Sequence, residues 1–227
     1  MHIPDGFLSP EVAAGAAVVA TGAVAMGLRR AGTRLDDRVV PLLGVTGAFV
    51  FAAQMLNVPV AGGTSGHFLG AALATVLLGP WLACLVLAVV IATQSFVFAD
   101  GGVSALGANV MNMGVVGALV TGGLMLAARR VLPRRRGALL AVAGAGAWLS
   151  VVAGAASTSV CLAASGTVPL ATVLPAMVGV HVLIGAGEAL ITVAALSALM
   201  ATRPDLIGAW APAESPRAAA RPIPQGA

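Results

Sequence analysis

Long apolar stretches follow one another along the chain, separated by short breaks, from residue 11 to about residue 200. Stretches able to cross about 30 Å of hydrocarbon run at 11–28, 39–57, 66–79, 81–98, 103–127, 137–164 and 169–200. The pattern predicts an all-α fold, a polytopic membrane helical bundle of about seven transmembrane helices. The third is short, and the last two are long enough to tilt or break. The breaks carry turn chemistry: Leu35-Asp36-Asp37, Val58-Pro59-Val60-Ala61-Gly62-Gly63, Gly79-Pro80, Asp100-Gly101-Gly102 and Gly166-Thr167-Val168-Pro169. Gly79-Pro80 leaves two choices for 66–98, two helices or one kinked element. Ten mostly non-helical residues, MHIPDGFLSP, precede the first span. The organisation is therefore an N-terminal arm over 1–10, a bundle over 11–202 and a tail over 203–227.

Composition strengthens the membrane reading. The 227 residues are 59% hydrophobic and only 9% charged, with a mean hydropathy of +1.01, far from a soluble domain. The net charge of +4 would suggest nucleic acid in a soluble chain. Here all twelve basic residues are Arg outside the apolar runs, and basic loops that orient helices are the better account. Arg29, Arg30, Arg34 and Arg38 follow span one; Arg129, Arg130, Arg134, Arg135 and Arg136 follow span five; Arg203, Arg217 and Arg221 follow span seven. With seven spans all fall on one side, which the positive-inside rule makes cytoplasmic, placing Met1 outside and the C-terminus inside. The expected location is the cell inner membrane, multi-pass.

A cleaved signal peptide would carry its positive charge before its apolar run, whereas here the charge follows. Methionine removal needs a small second residue, so His2 predicts that Met1 keeps its place with a free α-amine. The segment from 203, rich in Pro, Ala and Arg, reads as a mobile cytoplasmic tail. Cys84 and Cys161 lie in apolar runs near opposite faces of the bundle, an arrangement that predicts packing and no disulfide.

Polar side chains in lipid are costly and so informative. The membrane-embedded amides are Gln54, Asn57, Gln94, Asn109 and Asn112, and under this topology each falls in the outer half of its span, level with His67. Any one of them can simply tie helices together; their shared depth points to a binding site open to the outside. Met55, Met111 and Met113 lie nearby and fit packing. His181 and Glu188, seven residues apart on one face of the last span, are either a relay or a buried structural pair, and their depth below the cluster favours the structural role.

The arm itself has the makings of a chelator. The Met1 amine, the His2 backbone nitrogen and the His2 Nδ1 can close two fused rings around one ion, with His67 at a fourth corner. A planar all-nitrogen site suits Ni²⁺ or Cu²⁺, with Co²⁺ possible. Binding would require the amine and the His2 amide to lose protons, and so would weaken as pH falls. Pro4 biases Ile3 toward extended backbone, and Asp5-Gly6 then turns the arm back over the bundle. Two other readings stand beside this one. Ser65 and His67 in Gly63-Thr64-Ser65-Gly66-His67 raise an intramembrane serine hydrolase, although the G-x-S-x-G elbow is missing; a transporter subunit for a small organic solute needs no metal. No Walker-type loop is present, so the chain is not itself an ATPase.

Four segments together, MHIPDGFLSP, GGTSGHFLGAALATVLLGPW, QSFVFADGGVSALGANVMNMG and HVLIGAGEALIT, resemble the CbiM/NikM family, the membrane substrate-binding subunits of energy-coupling-factor transporters for cobalt and nickel. The resemblance covers residues 1 to 200. It implies a metal held by the terminal amine, the backbone and ring nitrogens of the second-position His and the His of the SGH motif, which correspond to Met1, His2 and His67. It implies Ni²⁺ or Co²⁺ as transported substrate, no organic cofactor and no enzyme activity of its own. The implied partners are a transmembrane coupling protein, separate ATPase subunits and a small CbiN/NikN-type membrane protein, expected here as a separate chain. The PDGFLSP start is more similar to nickel members than to cobalt ones.

Overall fold

A computed structural model describes residues 1–34, 39–61, 63–133 and 135–207. The Leu35-Asp36-Asp37 turn and the tail beyond Ile207 lie outside the described residues. The protein is a mostly helical membrane protein. Its helices are α1 (Pro10–Arg34), α2 (Val39–Gln54), α3 (Ala71–Leu78), α4 (Pro80–Phe98), α5 (Leu106–Val131), α6 (Arg136–Ala164) and α7 (Leu170–Thr202). Among the described residues, five of these are long and apolar enough to cross a membrane, and α2 is a shorter apolar helix of 16 residues. Small residues let them pack closely; a Cβ placed on Gly107 would lie 2.5 Å from the Ala17 Cα.

The third span departs from the sequence reading. Helix begins only at Ala71 and lasts eight residues, about 12 Å. Before it, β1 (Asn57–Pro59) and β2 (Ser65–His67) form an antiparallel hairpin pairing Asn57 with His67 and Pro59 with Ser65. From Ser65 to Gly70 the chain descends into the bundle without helical hydrogen bonds, five residue steps that reach at most about 17 Å. Non-helical backbone at this depth is tolerated only when buried in protein that supplies its hydrogen bonds. Glu188 does so: its carboxylate accepts from Leu69 N–H at 2.5 Å and Gly70 N–H at 3.0 Å, at the N-terminus of α3 where negative charge is favoured. Gln54 adds a donor to the Leu69 carbonyl at 2.7 Å.

Within residues 66–98 two separate helices form, α3 and α4, and not one kinked element. Gly79, between them, has φ 82° and ψ 163°, a conformation open to glycine but not to a residue with a side chain. Pro80 then opens α4 at a position where its missing N–H costs nothing. The chain reverses here, so α4 carries its C-terminus back to the hairpin end. Helix α5 contains a π-helical stretch, Val110–Val116, of the kind that often marks functional positions. Helix α7 runs unbroken past Pro175. Its buried stripe is Val173, Met177, His181, Gly185, Glu188, Thr192 and Leu196, a three-to-four spacing that keeps one face inward.

The two ends of the bundle differ in charge. Arg30 lies beside the α3–α4 turn, Arg129 and Arg130 end α5, and Arg136 donates to the Ser197 carbonyl near the end of α7 at 2.9 Å. The hairpin, the 99–104 loop and the N-terminal arm gather at the opposite end. Cys84 and Cys161 are both buried and free.

Replacing Glu188 with Ala should leave two buried N–H groups unsatisfied and destabilise the metal-free protein by about 2–4 kcal/mol. Thermal unfolding in detergent is the measurement, and an unchanged midpoint would contradict this role for Glu188.

Candidate functional site

The arm does not lie over the bundle as its sequence suggests; it inserts into it. Met1 and Ile3 are fully buried and His2 is 4% exposed. Helix α1 starts where it does because Ser9 caps it, its Oγ accepting from Val12 N–H at 3.4 Å, with Pro10 first in the helix. That frees residues 1–9 to run inward. Asn109 of α5 then holds Ile3 by both backbone groups, accepting from its N–H at 2.8 Å and donating to its carbonyl at 3.1 Å. Gly102 N–H also donates to the Ile3 carbonyl at 2.8 Å. Farther out, the Asp5 carboxylate accepts from Ser104 N–H and Oγ, and Thr167 Oγ1 donates to the Phe7 carbonyl.

These contacts deliver Met1 and His2 to β2. The Met1 amine donates to the Ser65 carbonyl and, at 2.9 Å, to Ser65 Oγ, which also accepts from His2 N–H at 3.2 Å. The His2 and His67 rings stack with centroids 4.7 Å apart and planes 27° apart. Nδ1 of His67 bonds to the Phe68 carbonyl at 2.7 Å, so Nε2 carries the free lone pair. That Nε2 and both ring nitrogens of His2 are buried with no hydrogen-bond partner. Burial drives the Met1 amine well below its ordinary pKa, against the pull of the Asp100 carboxylate. Burial first, and the adjacent amine second, lower His2 to about 3. Burial thus disfavours the protonated form of both groups, and the unprotonated form is the one in which nitrogen binds a metal.

Asp100 and Gly101, unmarked as site residues by the sequence, close the outer side. Nε2 of His2 lies 3.8 Å from Asp100 Oδ2. Gly101 has φ +95°, and a Cβ on it would stand 3.0 Å from His2 Nδ1, so shape and conformation both demand glycine there. The only hint in the sequence was an acid followed by two glycines, which a turn explains equally well. From α7, His181 bonds through Nδ1 to the Met177 carbonyl at 2.6 Å, while its buried Nε2 has no partner. It stands near the amine and the Ser65 carbonyl. His181 therefore flanks the site, whereas Glu188 serves the descending backbone.

The five amides divide. Asn109 clamps the arm, and Asn57 donates to Asp100 Oδ2 at 3.3 Å. Gln54 braces Leu69, and Asn112 accepts from Ser157 Oγ at 2.6 Å, joining α5 to α6. Gln94 is buried with neither side-chain polar atom paired. None bonds to Met1, His2 or His67 among the described residues, so they are braces for the elements around the site more than a shell about it. Ser65 Oγ accepts from the amine and from the His2 N–H, and among the described residues it makes no hydrogen bond to His67, so the Ser–His pairing that the hydrolase reading needs is not formed here. No three His, Cys, Asp or Glu side chains converge as a metal cluster among the described residues; the nitrogen set depends on main-chain groups.

Fold and site together define a class: a helical membrane protein that folds its own N-terminus into its centre, against a histidine on a re-entrant hairpin. The model of the cobalt uptake substrate-specific transmembrane region, CbiM, matches residues 2–206, and the chain belongs to that family of cobalt and nickel transport proteins. It is 34% identical over 235 residues to the fused nickel transport protein NikMN of Rhodobacter capsulatus, covering 97% of this chain and 67% of the relative. It is 36% identical over 217 residues to the cobalt transport protein CbiM of Sorangium cellulosum, covering 91% and 94%. The crystal structure of a truncated transition metal transporter superimposes with a TM-score of 0.81 at 31% identity, covering 88% of this chain and 99% of that one.

Removing the Asn109 amide should loosen the arm. Asn109→Ala deletes two buried hydrogen bonds, about 2 kcal/mol, and exchange of the Gly102 N–H, which reports on Ile3, should speed by about 30-fold. Arm docking in metal-free protein should also depend on pH. A free arm takes up protons near its ordinary values of 8.0 and 6.5 and the docked arm resists them. The stabilisation is therefore complete above pH 8 and is lost as pH falls toward 3. Gly102 exchange, corrected for its intrinsic pH dependence, should accelerate over that range.

Proposed function

We propose that this chain is the substrate-binding membrane subunit of an energy-coupling-factor transporter that takes up Ni²⁺ or Co²⁺, with nickel favoured. The ion would be held in a square plane by the Met1 amine, the deprotonated His2 backbone nitrogen, His2 Nδ1 and His67 Nε2. The observation that carries this reading is the burial of the Met1 amine and His2 against His67, with the lone-pair nitrogens of both rings unpartnered. Burying such groups without partners is costly, and an ion that they share removes the cost.

Other features agree with it. Two fused chelate rings and a second imidazole are a nitrogen set suited to Ni²⁺. The His67 Nδ1 bond to Phe68 orients the ring as an outer partner orients a metal ligand. The arginine-bearing end of the bundle corresponds to the cytoplasmic side by the positive-inside rule, so the arm would face outward, and the location would be the cell inner membrane. Relatives named as fused nickel transport protein NikMN extend beyond the length this chain matches, and a small CbiN/NikN-type module would take part in the transporter. A transmembrane coupling protein and ATPase subunits would supply the energy.

Purified protein beginning at Met1 should bind one Ni²⁺ per chain. A single residue added before Met1, or His2→Ala, should abolish binding, since the first replaces the amine with an amide and the second removes a ring nitrogen. Affinity should fall as pH drops, because the chelate forms with loss of protons. Isothermal titration with nickel and cobalt, with metal analysis of the purified protein, decides it; full affinity in the extended protein would sink the assignment.

A further inference from the structure

A cavity of about 640 Å³ opens from the arm end of the bundle onto the site, walled by the arm, the hairpin and the 99–103 loop. His2 and Ser95 line it, His2 with both ring nitrogens unpaired and Ser95 with a buried, unpartnered Oγ. Two carboxylates also face it. Asp5 is committed to Ser104. Among the described residues the Asp100 carboxylate accepts a hydrogen bond from Asn57 at 3.3 Å, and its side chain is 18% exposed, with Oδ2 3.8 Å from His2 Nε2.

We propose that Asp100 is the anionic gate of the metal site: it draws an incoming hydrated divalent cation into the cavity, then remains across His2 as its charge partner once the ion is bound. This rests on the metal-binding reading above and adds a residue to it. A divalent ion held by an amine, two neutral imidazoles and one amidate leaves a net charge of +1 in a buried site. A buried charge demands a counter-charge. Glu188 is held at the start of α3 by the Leu69 and Gly70 N–H groups and does not line this cavity. Asp100 is the acid within reach. Its Oδ2 lies 3.8 Å from His2 Nε2, with no hydrogen bond formed between them; with His2 Nδ1 on an ion, a small approach of the carboxylate would let Nε2–H donate to it, the outer pairing that raises ligand basicity and fixes the ring. The position at the cavity mouth gives it an earlier task as well, since a negative group in a cleft concentrates cations and speeds their entry.

The test compares native protein, Asp100→Asn and Asp100→Glu, each beginning at Met1, with Ni²⁺ as probe. Asp100→Asn should keep one ion per chain and the absorption bands of the planar site, while its Kd rises about 10- to 100-fold. Its association rate, followed by stopped flow, should drop and decline less steeply with ionic strength than the native rate. Asp100→Glu should recover part of the affinity. Unchanged affinity and association in Asp100→Asn would overturn the proposal, as would a native association rate that is independent of salt. Should Asp100→Asn fail to fold, the salt dependence of the native rate and the affinity of Asp100→Glu still decide. Native protein that binds no nickel, or binds it without His2, would refute the metal-site reading itself, an outcome distinct from the failure of Asp100 alone.

Discussion

Backbone that leaves the helical conformation inside a membrane must find every hydrogen bond within the protein, and this structure does so twice. The N-terminal arm and the descending segment from Ser65 to Gly70 both enter the bundle as non-helical chain. Each is received by a side chain whose shape matches a peptide group: Asn109 takes the N–H and C=O of Ile3, and the Glu188 carboxylate takes consecutive N–H groups at Leu69 and Gly70. Buried non-helical backbone must find its partners within the protein, so these pairings are conditions for the fold. The small residues of the bundle follow from the same constraint, since two extended segments fit between helices only where side chains are short.

Meeting at the centre, the two segments create an environment neither has alone. The amine and the histidines lose most of their hydration, which disfavours protonation, and their lone pairs are left without donors. Such a site is poor for a protein that only needs stability and well suited to one that takes up a cation and gives it away. The apolar groove of about 620 Å³ between α2 and α4, lined mainly by Leu, Val, Phe and Gly, has no such chemistry and is a surface that lipid chains can cover.

The helical bundle was legible in the sequence because lipid imposes length and hydrophobicity on each span separately. Six of the seven apolar stretches emerged as helices close to their expected positions. The third did not, because the composition of 66–79 suits helix or buried strand equally. What decides it is Glu188, distant in sequence, which satisfies the extended backbone. The candidate metal ligands were legible for a local reason: chelate rings formed by residues 1 and 2 depend on covalent geometry, not on the fold.

The sequence by itself thus determined a polytopic helical protein and the clustering of its arginines, and it offered a terminus whose nitrogens are candidate ligands for an ion. The tertiary structure decided that the terminus is inserted and not laid across the surface. It also brought His181, Ser65, Asp100 and Gly101 around the terminus and showed the amides to be mainly braces. The reason is physical. Hydrophobic length and chelate rings are properties of neighbouring residues, while the burial of a charge and the partner of a peptide group are fixed by residues that only folding brings together.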